Sequence, residues 1–334
     1  MINKTQNELD MNKLSVNDEA FKIIERILPR PEFYSIKIKK LSNDAIIIDG
    51  SKGTYEFGRL VGEICLGGLA SCQFTDMSLK NIFIPGLLVQ TSHPAIALVG
   101  SQKAIRLDIK TQEGEKEKKR SYMVSGPFRA QARLDKKLYN SINYSDDSAK
   151  SIMVFEESKI PDESIMELIF QKCNLEPENT VVIFTPTNSI PGTVQIAARI
   201  IKTGVHILRE QNFNPLYLKH AMGITSLAPI AKDDVQAMGR TNDSIIYGGK
   251  VILTVDVPSD EEPEMVELLK KSPSNVSPSY GKPFYEMMKE VDFDFYKIDS
   301  KLFAPAVLTI NNMRTGRTFS AGEVNENILW RSYF

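Results

Sequence analysis

Five stretches of the 334-residue chain combine glycine with polar side chains. They are GEICLGGLA at 62–70, SGPFRAQA at 125–132, TPTNSIPGTVQ at 185–195, AMGRTNDSIIYGG at 237–249 and YGKPF at 280–284. Glycine permits close backbone approach or positive φ, and the adjoining Asn, Thr, Arg and Asp offer directional hydrogen bonds. Read as loops converging on one cleft, they would hold a flat polar heterocycle with an anionic tail. Any one alone reads more simply as a turn between core elements; five in one chain weaken that reading. The densest set is Arg240, Thr241, Asn242 and Asp243. A second pattern follows TPTNSIPG, where Arg199, Lys202 and His206 recur at i, i+3 and i+7 on one helix face. Ile196, Ile200 and Val205 lie on the face suited to packing. Taken by itself, the basic stripe is also what the solvated side of an amphipathic helix looks like.

Other chemistries are poorly supported. There is no GxxxxGK[ST] loop and no strand-linked GxGxxG fingerprint. Ser125 in SGP and Ser189 in SIPGT lack the GxSxG elbow of a serine hydrolase. Cys65, Cys72 and Cys173 form no CxxC pair, which suits a reducing cytoplasm better than a disulfide framework. His93, His206 and His220 form no HExxH arrangement, so zinc-assisted hydrolysis has little behind it. With 41 basic against 42 acidic residues, no general nucleic-acid-binding face is implied, although a local basic pocket fits. No apolar run is long enough to span a membrane, and the N-terminus lacks the apolar core of a secretory signal.

These residues need elements to position them. A polar extension covers 1–14, and the folded part begins near Ser15. Ser15 caps a helix to Arg30 in which Phe21, Ile24 and Leu28 repeat at helical spacing and Pro29 and Pro31 end the run. Alternation and turn residues predict strands at Ser35–Lys40, Ala45–Asp49, Ala70–Thr75 and Asn81–Leu88, with a helix at 55–66 and another near Pro94–Ala104. The charged stretch 110–121 reads as an exposed hairpin tip or loop. Further strands fall at 151–156, Thr180–Thr185, Lys250–Val255 and Ala306–Asn311. Helices fall at Asp162–Lys172, Thr193–Arg209, 263–271 and 283–290, and a glycine-containing apolar segment runs from Met222 to Ile230. The expected class is α+β (mixed α/β): two α/β-type subdomains with a cleft between them, at 15–150 and 151–334. The C-terminal segment is free to return to the first.

The clusters, with the runs around them, resemble the methenyltetrahydromethanopterin cyclohydrolase family. The matching segments are EICLGGL, SGPFRA, TPTNSIPGTVQIAAR, LAPIAKDDVQAMGRTNDSIIYGG, YGKPFYEMMKEVDFDFYKID and LFAPAVLTINNMRTGRTFSAGEVN, in family order from about Ser15 onward. The resemblance implies reversible hydrolysis of the methenyl bridge of 5,10-methenyltetrahydromethanopterin to the 5-formyl derivative. It also implies no metal or organic cofactor, a homotrimer, and a setting in cytoplasmic one-carbon metabolism of the methanogenic or methane-oxidising type. No nucleic acid or membrane partner is expected.

The methenyl carbon lies between two nitrogens in a delocalised cation and is already electrophilic. The site must therefore position water, accept its proton and help protonate the departing N10. By the resemblance, Arg199 matches the arginine of the family pattern ARxxE and inherits an active-site role. Position 202 corresponds to the family's catalytic glutamate, and this chain has Lys202. A protonated lysine repels the cation, and an unperturbed pKa of ~10.4 would have to fall a long way for base chemistry near neutrality. Three readings stay open: Lys202 is a base of depressed pKa; a carboxylate such as Glu63, Asp243 or Glu210 replaces the glutamate; or the protein binds the pterin with weak catalysis. Arg240, Thr241, Asn242 and Asp243 are the candidate pterin contacts, with Glu63 beside them. Arg129, Lys103 and Lys282 suit the phosphate-containing tail, and each equally suits a surface ion pair.

Overall fold

The computed structural model describes residues 14–113, 116–134, 136–294 and 297–334, so all of the expected N-terminal extension except Leu14 lies outside the described residues. In chain order the strands are β1 (Lys37–Lys40), β2 (Ile46–Asp49), β3 (Ala70–Leu79), β4 (Ile82–Thr91), β5 (Ile105–Glu113) and β6 (Lys116–Ser125). They continue as β7 (Ser151–Phe155), β8 (Thr180–Phe184), β9 (Leu218–Ser226), β10 (Lys250–Val255), β11 (Val307–Asn312) and β12 (Arg317–Gly322). Two six-stranded mixed sheets result, ordered β1-β2-β8-β7-β6-β5 and β12-β11-β10-β9-β4-β3. The protein is thus an α+β fold of two sheet-based subdomains. Each sheet takes strands from both sides of residue 150, so a division there would cut both sheets.

The centre of the first sheet is parallel: β2 pairs with β8, and β8 with β7. SIMVF and TVVIF are buried at every position, as expected of strands covered on both faces. Met166, Ile169 and Phe170 of the helix Glu163–Cys173 cover one face. The helices Val16–Ile27 and Tyr55–Cys65 cover the other. The second sheet is half covered. In β10 burial alternates, and the inward Val251, Leu253 and Val255 pack with Ile201, Val205 and Leu208 of the helix Ile200–Glu210. Its outward face carries Met222 and Ile252, paired across β9 and β10 and exposed.

Several elements differ from expectation. Of the two readings of the charged stretch 110–121, the hairpin is the one that forms, with more of it paired as strand than a tip implies: Lys110 stands opposite Lys119 and Glu113 opposite Lys116. The helix expected at Pro94–Ala104 is a π-helical turn, Ala95–Gln102. The apolar segment Met222–Ile230 is strand only to Ser226. AMGRTNDSIIYGG is not a loop but most of a helix, Asp234–Gly248, capped where the Asp233 side chain accepts from the Gln236 N–H. Gly239 sits inside that helix because Tyr285 lies against it, 2.9 Å from where a Cβ would stand. The helix expected at Thr193–Arg209 is two helices, Ile190–Ala197 and Ile200–Glu210, separated at Ala198–Arg199.

Candidate active site

The break between those two helices is built, not frayed. The buried Gln102 donates through Nε2 to the Ala198 carbonyl at 2.9 Å, supplying the partner that a continuing helix would have provided. Arg199 then adopts φ −81° and ψ 0° and begins the second helix. The first helix follows β8 across the loop 185–189. Ser189 accepts from the Gly192 N–H, and a Cβ on Gly192 would lie 1.9 Å from the Pro186 carbonyl oxygen, so that turn admits only glycine. Two more ends converge here: Ser125 closes β6, and Glu156 follows the last residue of β7. The carboxyl ends of parallel strands are where open α/β sheets gather their ligand-binding groups.

Across this junction Nη2 of Arg199 meets the Glu156 carboxylate, Oε1 of Gln195 at 3.0 Å and Oγ of Ser125 at 3.4 Å. The Arg199 and Glu156 side chains are only 15% and 16% exposed, well shielded compared with an ordinary surface ion pair. Cys65 Sγ lies 3.6 Å from the Ser125 hydroxyl, and burial pushes its thiol up to about 11, which leaves it unionised at neutral pH.

One turn on, Lys202 lines a small cleft with Leu98, Val99, Lys103, Val205, His206 and Arg209. Burial lowers its pKa to about 7, aided by the positive charges of Arg199, Lys103 and Arg129, while Glu210 opposes the shift. His206 is pushed down to about 3 by burial and by Lys202, Lys103 and Arg209, so it is neutral at pH 7. Its Nε2 lies 3.0 Å from Glu210. The fold thus draws Arg199, Arg129 and Lys103 into electrostatic reach of Lys202.

The remaining expected site residues lie elsewhere. Glu63 accepts from Arg59 at 2.6 Å and from the Cys72 N–H at 2.9 Å, and burial raises its pKa. Thr241 and Asn242 donate to the Ala237 and Met238 carbonyls of their own helix at 2.9 and 2.8 Å. Asp243, fully buried, accepts from the Phe284 N–H at 2.9 Å, and burial raises its pKa to about 7. Arg240 donates to the Ile230 carbonyl at 3.1 Å. Lys282 pairs with Glu290 near the surface. Glu210 is occupied by His206. Sequence reasoning passed over Glu156, Gln102 and Asp234. Asp234 accepts from the Asn188 N–H at 3.1 Å and so ties the helix Asp234–Gly248 to the loop after β8. Glu156 had a usable signal, a carboxylate set directly after the apolar run Ile152–Phe155.

Among the described residues, no group of three or more His, Cys, Asp or Glu side chains is arranged to hold a metal ion. Sheet order, helix break and buried cationic residues together describe an α+β protein of two interleaved sheets with a small cationic cleft. The family model described as Cyclohydrolase (MCH) matches residues 15–333. The chain is 38% identical over 324 residues to the methenyltetrahydromethanopterin cyclohydrolase of Methanococcoides burtonii, covering 96% of this chain and 98% of that one. It is 39% identical over 327 residues to the enzyme of that name from Methanocaldococcus jannaschii, and 38% identical over 324 residues to that from Methanosarcina barkeri, with the same coverage of each chain. The chain belongs to the cyclohydrolase (MCH) family.

Proposed function

We propose that this chain hydrolyses 5,10-methenyltetrahydromethanopterin reversibly to the 5-formyl derivative, within one-carbon metabolism of the methanogenic type. The observation that carries the reading is similarity over nearly the whole chain to enzymes bearing that name. The reacting end of the substrate would lie where Arg199 meets the end of β7. No metal or organic cofactor is required, because the methenyl carbon is electrophilic without a Lewis acid. Arg199 orients the water and the pterin edge through its fork of N–H donors. Lys202, with a pKa of about 7, is neutral for a substantial fraction of the time near neutrality, which lessens its repulsion of the cationic substrate and lets the amine hold a water. Lys103, which lines the cleft, suits the phosphate-containing tail, whereas Arg129 is fully buried and acts on the cleft through its charge. Arg240 has donors beyond its carbonyl contacts to offer the pterin, while Thr241, Asn242, Asp243 and Glu63 spend hydrogen bonds on their own helices and immediate neighbours. Lys282 would reach the tail only by exchanging its Glu290 partner.

A homotrimer is part of this reading. The half-covered second sheet, with Met222 and Ile252 exposed side by side on its outer face, offers a surface for it. Three buried, unpaired cysteines suit a reducing cytoplasm. No helix of the described residues is long and apolar enough to cross a membrane. The test is direct: mix the purified chain with the methenyl substrate and follow loss of the methenyl chromophore and appearance of the formyl product. Turnover is expected; tight binding with no product would contradict the assignment.

A further inference from the structure

The hydrolytic reading above requires a proton acceptor, and the groups in the cationic cleft are a poor supply of one. Lys103, Lys202, Arg129, Arg199 and Arg209 crowd the region with positive charge, and a methenyl cation is better served by a nearby carboxylate. The carboxylates near this helix are nearly all engaged elsewhere. Glu63 holds Arg59 and the Cys72 N–H, Asp243 holds the Phe284 N–H, and Glu210 holds His206. Glu157, beside Glu156, accepts from the Met123 N–H at 3.4 Å. Glu156 is the carboxylate in contact with Arg199, at the carboxyl end of a central parallel strand.

Around it stand buried polar atoms without a hydrogen-bond partner among the described residues: Nε2 of Gln195, Oγ1 of Thr185 and Nε of Arg199. Gln195 and Thr185 are both fully buried. Gln195 reaches Glu156 through Arg199, and the Thr185 N–H donates to the Phe155 carbonyl at 2.9 Å, one residue before Glu156. Polar groups buried without partners destabilise the fold, and such a cost is commonly retained where a ligand or water is to be held.

We propose that Glu156 takes the proton from the attacking water and returns it to the departing nitrogen. Resting on the hydrolytic reading, the step balances as follows. The water oxygen bonds to the methenyl carbon, and one water proton passes to the Glu156 carboxylate, leaving a neutral N–CH(OH)–N adduct. The carbon–N10 bond then breaks, its electron pair going to N10, which receives the proton from Glu156. The remaining hydroxyl proton leaves to solvent as the formyl C=O forms, so hydrolysis of the cation releases one proton overall.

The experiment compares the full-length chain with Glu156→Gln, Glu156→Asp, Glu156→Ala and Lys202→Ala, measuring turnover and substrate affinity separately. Glu156→Gln should lose about 10²–10⁴-fold in kcat, the usual range for general acid–base catalysis, with KM changed less than about threefold. Added formate should restore turnover at least about tenfold in Glu156→Ala, a response that a merely structural carboxylate would not give. Lys202→Ala should lose less than Glu156→Gln. If Glu156→Gln fails to fold, Glu156→Asp carries the test, with lowered kcat and retained affinity expected. Wild-type turnover with Glu156→Gln, or the folded Asp variant, at wild-type kcat overturns this proposal while leaving the functional reading intact. A wild-type chain that binds without turnover overturns both.

Discussion

The segments 185–210 and 234–248 are both dense in glycine and polar residues, yet they use them in opposite ways. In the helix Asp234–Gly248 most of the polar side chains are consumed by the fold, although Arg240 bonds through Nη1 alone and Asp243 Oδ2 has no hydrogen-bond partner among the described residues. Thr241, Asn242 and Ser244 cap carbonyls one turn back, and Asp243 anchors the Phe284 N–H. In 185–210 a side-chain hydrogen bond from Gln102 stops the helix at Ala198, and Arg199 is sent across to a strand end, where unpartnered donors collect. Density of polar residues marks a demanding local fold. Chemistry is marked by polar groups whose bonding the fold leaves incomplete.

The contrast can be broken most forcefully at Arg199. Arg199→Ala should lower kcat/KM by at least about 10²-fold, since it removes an oriented fork of donors at the reacting end. Asp243 should behave as a stability residue. Its folded pKa of about 7 lies above the ordinary 3.8, so between those values the folded state binds more protons than the unfolded one, and wild-type stability falls as pH rises. Denaturant titrations of Asp243→Asn, which still offers an oxygen to the Phe284 N–H, should therefore show a gain over wild type that grows by about 2–4 kcal/mol from pH 4 to pH 8.

Lys202 has the opposite sign. Its folded pKa of about 7 lies below the ordinary 10.5, so from about 7 to 10.5 the unfolded state binds more protons and wild-type stability rises with pH. Any stability advantage of Lys202→Met should therefore be greatest below pH 7 and shrink by on the order of 2 kcal/mol by pH 9, as read by chemical unfolding. The smallest effect is expected at Lys282. Its pair with Glu290 is 39% and 59% exposed, and Lys282→Ala should shift unfolding by less than ~1 kcal/mol.

Much of this was legible in the chain. Burial on both faces made β7 and β8 read as short, continuous apolar runs, and Ser15 and the prolines bounded the first helix. The interleaving of the two sheets was not legible, because β3 and β4 look locally like any hairpin and only long-range pairing sends them to β9. The helix break escaped notice because its cause, Gln102, lies far away in sequence. Glycines misled in the opposite direction: Gly239 suggested a loop, and packing against Tyr285 holds it in a helix. Of the candidate site residues, Arg199 and Lys202 were read from one helix face, whereas Glu156 was absorbed into the strand read over 151–156.

The most direct measurement sets Arg199→Ala beside Thr241→Ala in one assay of methenyltetrahydromethanopterin hydrolysis, with wild type as reference. The expected result is turnover by wild type, a loss of at least about 10²-fold in kcat/KM for Arg199→Ala, and less than about threefold for Thr241→Ala. Equal losses, or a larger loss at Thr241, would place the chemistry on the helix Asp234–Gly248 and contradict the account.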